Sequence, residues 1–249
     1  MRFFIELAFD GTNYHGWQVQ PNANTVQNEL NQALSKILNY TIEVVGAGRT
    51  DAGVHAKQLF AHFDFLENID TKVLKDKLNG FLKQDIVIKN IFNVNNDTHA
   101  RFTAISRTYE YRISTQKNPF DQNTMYSFRK LDINKMIQAC SFLIGNKDFT
   151  SFSKSHTQNY TNNCKIFFAT WIEENGCFIF RIKADRFLRN MVRAIVGTMI
   201  MIGEGKVEPK EMGAIIKKKD RSSAGFSVPA NGLFLLNVEY PKNRLDEEE

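Results

Sequence analysis

The chain has 249 residues, 43% of them hydrophobic and 24% charged; that is ordinary globular usage and excludes a disordered, collagen-like or low-complexity scaffold. Lys and Arg total 32 against 27 Asp and Glu, a formal charge of +5, which allows an anionic partner such as RNA without requiring one. The length suits one large domain or two small ones sharing an interface.

In chain order, Arg2–Phe9 reads as an opening strand, and Asp10–Ala23 as a loop bearing Gly and Asn. Asn24, with Gln27 three residues on, is expected to cap a helix that sets Val26, Leu30, Ala33, Leu34, Ile37 and Leu38 on one face. Thr41–Val45 is β-branched and predicts a strand leading into the loop GAGRTDAGVHA. Gln58–Phe65 alternates, with Leu59, Ala61, Phe63 and Phe65 on one side. A helix over Thr71–Leu82 and a strand over Ile86–Val94 complete the β-α-β-β-α-β order of the ferredoxin-like split unit.

The second half reads similarly. Thr108–Ser114 predicts a strand, and Asp132 caps a helix whose Ile133, Met136, Ile137, Cys140 and Leu143 face inward and which ends at Gly145. Lys165–Ile172 and Cys177–Ala184 flank Asn175-Gly176, a type I′ hairpin signal. Phe187–Ile202 is apolar nearly all round and so predicts a buried helix, followed by a shorter exposed one at Glu208–Lys218 and a closing strand at Leu233–Val238. The expected fold class is α+β. Two ferredoxin-like units, residues 1–104 and 105–245, would stand side by side with a central cleft, and 246–249 would be a solvated acidic tail.

Cys140, Cys164 and Cys177 are odd in number and set among apolar or strand-like neighbours, which predicts buried reduced thiols in a cytoplasmic protein. The N-terminus carries no long apolar run, and the longest such stretch, Ala194–Gly203, is about half of a membrane span. The expectation is a soluble chain with no membrane partner.

Chemistry concentrates in Gly46–His55. Its three glycines let the backbone turn tightly or approach a ligand, and they frame Arg49 and Asp51, neither of which packing requires. Two readings follow: a turn closed by a local Arg–Asp pair, or a carboxylate nucleophile or base displayed at a strand end. The glycine spacing fits neither a Walker loop nor a dinucleotide fingerprint. Arg193 lies inside the apolar Phe187–Ile202 stretch, where an unpaired guanidinium is costly to bury, so it calls for a carboxylate or phosphate partner. His15, His55, His62, His99 and His156 lack metal-ligand spacing and CxxC is absent, so no metal site is expected. The basic stretches Lys72–Lys77, Lys217–Arg221 and Arg181–Arg193 are candidate phosphate contacts or solvated faces.

GAGRTDAGVHA resembles the signature of the bacterial tRNA pseudouridine synthase A family, and the resemblance runs nearly end to end. FDGTNYHGWQ is similar to that family's opening strand and loop. His99-Ala100-Arg101-Phe102 followed by Arg107-Thr108-Tyr109-Glu110-Tyr111 resembles its second motif, Phe187–Gly197 its third, and AGFSVPANGLFL its closing one. Gly225-Phe226-Ser227 departs from the Gly-x-Thr that many relatives carry, which puts side-chain detail there in doubt.

The resemblance implies a pseudouridine synthase fold and an isomerase that converts uridine to pseudouridine at positions 38, 39 and 40 of the tRNA anticodon stem–loop, without a cofactor. It implies that Asp51 is the catalytic aspartate, attacking sugar or uracil or abstracting the C2′ proton. Tyr109 would stack on the target uracil, Arg193 would hold the Asp51 carboxylate ionised, and Arg49 would help expel the nucleotide from the stem. Leu233 would form an apolar wall against the uracil. For Tyr109 and Leu233, ordinary core packing is the alternative. The resemblance further implies tRNA as partner and a homodimer. Two rivals stand beside it: a non-catalytic RNA-binding protein, and an Asp-dependent hydrolase using Asp51 and His55.

Overall fold

Strand β1 (Arg2–Phe9) opens the structure, a computed structural model that describes residues 1–119, 123, 125–127, 130–154 and 160–245. The acidic tail at 246–249, His156 and the middle of the 153–163 loop lie outside the described residues. The chain divides into two compact units: Met1–Ser106 together with the chain from Leu235 onward, and Arg107–Phe234.

In the first unit β1 is followed by α1 (Val26–Leu38), β2 (Val45–Gly46), β3 (His55–Asp64), α2 (Thr71–Phe81) and β4 (Ile86–Val94). β1 runs antiparallel to β3 and β4, with Ile5 opposite Ala61 and Ile91, and β2 pairs on β3 with Val45 opposite His62. The order β4-β1-β3-β2 is that of the ferredoxin-like unit. Successive residues of β1 point to opposite faces, yet Phe3 and Phe4 are both fully buried, so the sheet is covered on both sides. Phe3 stacks on Phe63 at 5.2 Å, while Phe4 joins Phe60, Phe92 and Tyr240 in a cluster of edge and tilted contacts. Each such ring contributes about 1.5–3 kcal/mol by leaving water.

Two expectations for this unit need correction. The N-cap of α1 is Thr25, whose hydroxyl accepts the Asn28 N–H, and not Asn24. Gln27 builds no capping box. Its side chain instead accepts the Val19 N–H and donates to the Val44 carbonyl. Nor is Thr41–Val45 a strand; only Val45–Gly46 pairs. The segment runs along α1, where Asn31 Oδ1 accepts the Val44 N–H at 2.9 Å and Ser35 Oγ accepts the Ile42 N–H at 2.9 Å. Polar side chains at positions 27, 31 and 35, spaced one helical turn apart, thus satisfy backbone groups that a neighbouring strand would otherwise take.

The second unit holds β5 (Ser106–Ser114, from Arg107), β6 (Met125–Tyr126), α3 (Ile133–Cys140), β7 (Gly145–Asp148), β8 (Asn163–Glu174), β9 (Cys177–Ala184), α4 (Met191–Gly203) and α5 (Glu211–Lys218). β10 (Leu233–Glu239) begins in this unit and from Leu235 belongs to the first, beside β3. β9 lies antiparallel between β5 and β8, the first–third–second order of the same ferredoxin-like motif. Asn175 and Gly176 both take positive φ, 51° and 73°, as a type I′ hairpin requires. Asp132 caps α3 by accepting the Asn134 and Lys135 N–H groups.

Ile137 is exposed instead of core, and the helix stops at Cys140; Gly145, at φ +99°, starts β7 and does not end a helix. α4 starts at Met191, not Phe187, because Asn190 takes a left-handed conformation (φ 68°) that breaks the helical run. α5 likewise starts three residues later than expected. Cys140 and Cys164 are buried, with thiols pushed up to about 12 by burial, whereas Cys177 is half-exposed. Among the described residues no helix is long and apolar enough to cross a membrane.

Candidate functional site

The Gly46–His55 loop leads from β2 into β3, and the loop after β1 packs on it backbone to backbone. A Cβ on Gly11 would lie 2.0 Å from the Val54 carbonyl oxygen, and one on Gly16 (φ +87°) would lie 2.3 Å from that of Thr50. Only glycine allows that approach. The Trp17 ring fills the space beside Gly46, where a Cβ would come within 2.5 Å of it. Hydrogen bonds complete the cradle. Gly53 N–H donates to the Tyr14 carbonyl at 3.2 Å, Ala47 N–H to the Phe60 carbonyl at 2.7 Å, and Val54 N–H to the Asp51 carbonyl at 3.2 Å. Tyr14 is itself buried and donates its hydroxyl to Asp85 at 2.6 Å; burial first, then that carboxylate, raises its pKa.

This frame leaves Asp51 half-buried and Arg49 exposed on one rigid turn. Thr50, between them, carries a buried hydroxyl without a hydrogen-bond partner. His55 is buried, with Nδ1 accepting the Gly11 N–H at 3.0 Å and lying 3.1 Å from Asp10 Oδ1. That nitrogen is committed to the opening loop, which weakens the reading of an Asp51–His55 hydrolase.

The other expected site residues belong to the second unit. Tyr109 stands on β5 opposite Ile182, half-buried, with Phe187 edge-on to its ring at 5.1 Å. Arg193 is the third residue of α4 and one of two residues in that helix that are not buried. Its Nε donates to the Val228 carbonyl at 2.7 Å. Leu233 is buried at the start of β10. Arg189 precedes α4, outside the helix, and is exposed.

The segment carrying Val228 is pressed against α4 at two glycines. A Cβ on Gly197 would lie 1.8 Å from the Phe226 carbonyl oxygen, and one on Gly225 would lie 2.7 Å from the Gly197 backbone. Thr198 Oγ1 accepts the Gly225 N–H at 2.8 Å. Ser227 Oγ accepts from Asn190 at 2.6 Å and from Arg221 at 3.1 Å. A threonine would supply the same hydroxyl, so the departure from Gly-x-Thr leaves this contact intact.

Sequence reasoning missed these supports, and it missed Glu110. That carboxylate is 2% exposed and lies between Arg112 Nε at 2.9 Å and Arg181 Nε at 2.8 Å. Only part of its signal is local: Arg112 is two residues along the same strand, but Arg181 stands opposite Glu110 on β9, a pairing distant in sequence. Arg181 and Arg221, which lie in stretches that read as candidate phosphate contacts or solvated faces, bind Glu110 and the 224–227 segment.

The motifs, the two ferredoxin-like units and the cradled Asp51 loop define the class as an RNA-modifying isomerase. A family model described as tRNA pseudouridine synthase matches residues 7–103 and 139–241, which leaves Tyr109 outside both matched segments. Proteins named tRNA pseudouridine synthase A from Bacteroides thetaiotaomicron and Bacteroides fragilis are each 50% identical to this chain. The first covers 99% of this chain and 93% of that protein, the second 97% of each. One of the same name from Francisella tularensis subsp. holarctica is 38% identical over 96% of this chain and 94% of that protein. The chain belongs to the tRNA pseudouridine synthase family.

Proposed function

We propose that this chain isomerises uridine to pseudouridine at positions 38, 39 and 40 of the tRNA anticodon stem–loop. The observation that carries the proposal is the Asp51 loop: a half-buried carboxylate on a turn fixed by three glycine contacts and by backbone hydrogen bonds from both directions. Held that way, a carboxylate meets its target without reorganising.

The reaction breaks the N1–C1′ bond, turns the freed uracil and joins C5 to C1′. C5 loses its hydrogen to solvent, N1 gains a proton, and nothing is oxidised or reduced, so the chemistry calls for no redox cofactor. In this reading Asp51 is the catalytic carboxylate, as nucleophile toward sugar or base or as the acceptor of the C2′ proton. Tyr109 stacks on the uracil, steadied by Phe187. Arg193, held through Val228, supplies the positive charge that keeps Asp51 ionised. Arg49, exposed on the same turn as Asp51, takes the place of the expelled nucleotide. Leu233 walls the uracil. The protein acts in the cytoplasm as a homodimer, as the resemblance to its family implies.

Mapping pseudouridine in unmodified tRNA after incubation with the purified protein tests this directly. Formation at 38–40, retained in EDTA and declining as salt rises through lost phosphate contacts, is the expected result. An absence of pseudouridine anywhere in the tRNA would overturn the reading. Light scattering tests the dimer, and a fully active monomer would refute that part.

A further inference from the structure

Between β4 and β5, the turn His99–Thr103 is hydrogen-bonded at nearly every backbone position. The N–H groups of Arg101 and Phe102 both donate to His99 Nδ1, at 3.0 and 3.3 Å. Thr103 N–H donates to the His99 carbonyl at 3.0 Å, and His99 N–H to Thr103 Oγ1 at 2.9 Å. The buried Ala100 is pinned from below: its N–H donates to His62 Nδ1 at 3.2 Å, and its carbonyl accepts the Tyr240 hydroxyl at 2.6 Å. This rigid turn presents an aromatic ring to solvent, for Phe102 is 74% exposed. The His99 ring lies 4.4 Å from it and the Arg101 guanidinium 5.4 Å from its centroid, while His99 in turn rests on His62 at 4.7 Å.

A single exposed phenylalanine is unremarkable by itself. Here the ring is backed by an imidazole, accompanied by a cation and carried on a turn with little freedom left to lose. Those are the parts of a surface that stacks an unpaired base: a largely exposed ring, a guanidinium over it suited to the base and its phosphate, and an ordering cost already met in folding. An aliphatic protein partner would gain nothing from the adjacent Arg101, whereas a nucleotide gains from both groups.

We infer that Phe102, backed by His99 and flanked by Arg101, is a stacking platform for an unpaired base of the RNA substrate, contributing to binding and not to the chemistry at Asp51. The inference rests on the reading of the chain as a tRNA-modifying enzyme.

The test compares the wild-type protein with Phe102→Ala and Phe102→Tyr, using filter binding to unmodified tRNA at one fixed salt concentration and tritium release from tRNA labelled at uracil C5. Wild-type release establishes the underlying reading separately; without it both fall. Given that release, Phe102→Ala is expected to weaken tRNA binding roughly five- to hundredfold, the range for one lost base stack, and to raise KM with little change in kcat. Phe102→Tyr, which keeps the ring, should bind like wild type, and all three proteins should melt alike because the side chain is exposed. Unchanged tRNA affinity in Phe102→Ala would overturn the platform. So would a fall in oligomer mass by light scattering in that variant, since the ring would then contact a second copy of the chain.

Discussion

Arg193 and Val228 are tied to each other twice. The Arg193 side chain donates through Nε to the Val228 carbonyl at 2.7 Å, and the Val228 N–H donates to the Arg193 carbonyl at 3.3 Å. The guanidinium is therefore aimed by the 224–228 segment as much as by its own helix, and that segment is fixed by the contact between Gly197 and Gly225. The conformation of an arginine proposed to act in catalysis is thus set by two glycines that touch no substrate.

Gly197→Ala tests that support. The added Cβ would stand 1.8 Å from the Phe226 carbonyl oxygen, so helix and segment must part. The expected cost is about 1–3 kcal/mol of stability, the range for overpacking, read as a lower urea midpoint. Turnover should fall by more than tRNA affinity, because Arg193 moves while phosphate contacts remain.

Glu110 makes a second prediction. Glu110→Ala removes a buried carboxylate shared by two partly exposed guanidiniums and should cost about 1.5–3 kcal/mol, the range for lost charged hydrogen bonds. Arg181→Ala removes a side chain that is 42% exposed and leaves Glu110 still paired with Arg112, so it should cost about 1 kcal/mol or less. Denaturant midpoints of the two variants check both the sign and the order.

A third concerns pH. His62 is pushed down to about 4 by burial, reinforced by Arg2 and His99; His99 is lowered by burial, then by Arg2 and Arg101. Both use Nδ1 as an acceptor, which requires the neutral ring. A histidine whose folded pKa lies below its unfolded value of about 6.5 contributes stability that is complete above that pH. As pH falls from about 6.5 toward 4 the unfolded chain gains protons first, so stability declines across that window. Denaturant midpoints at pH 7 and pH 5 should show the fall, and His62→Gln should reduce it.

What could be read from the sequence was what neighbouring residues decide. Strand Ile86–Val94, the Asp132 cap and the Asn175-Gly176 hairpin each depend on a few adjacent residues, and each stands where expected. Thr41–Val45 has strand composition, but its backbone groups are taken by Asn31 and Ser35 on the preceding helix, a choice that propensity does not encode. The apolar run at 187–202 hid the helix start, because one left-handed asparagine outweighs the pattern. β10 follows the second unit in sequence and yet lies beside β3 from Leu235 onward, a long-range pairing no local signal announces. At the site, the Gly-rich loop drew attention in the sequence because packing requires neither Arg49 nor Asp51, and the proposal for Asp51 starts there. Glu110 did not, because on an alternating strand a carboxylate looks solvent-facing until its two arginines are placed.

The most direct test of the central claim is tritium release from tRNA labelled at uracil C5, measured for wild-type protein and Asp51→Asn alongside filter binding of the same tRNA. Pseudouridine formation must expel that hydrogen, and the amide keeps the size of the carboxylate while removing the nucleophile or base. The account predicts release by wild type, none detectable from folded Asp51→Asn, and nearly equal tRNA affinity because phosphate contacts dominate docking. Release from Asp51→Asn at near the wild-type rate would contradict it, and Asp51 would not be the catalytic residue.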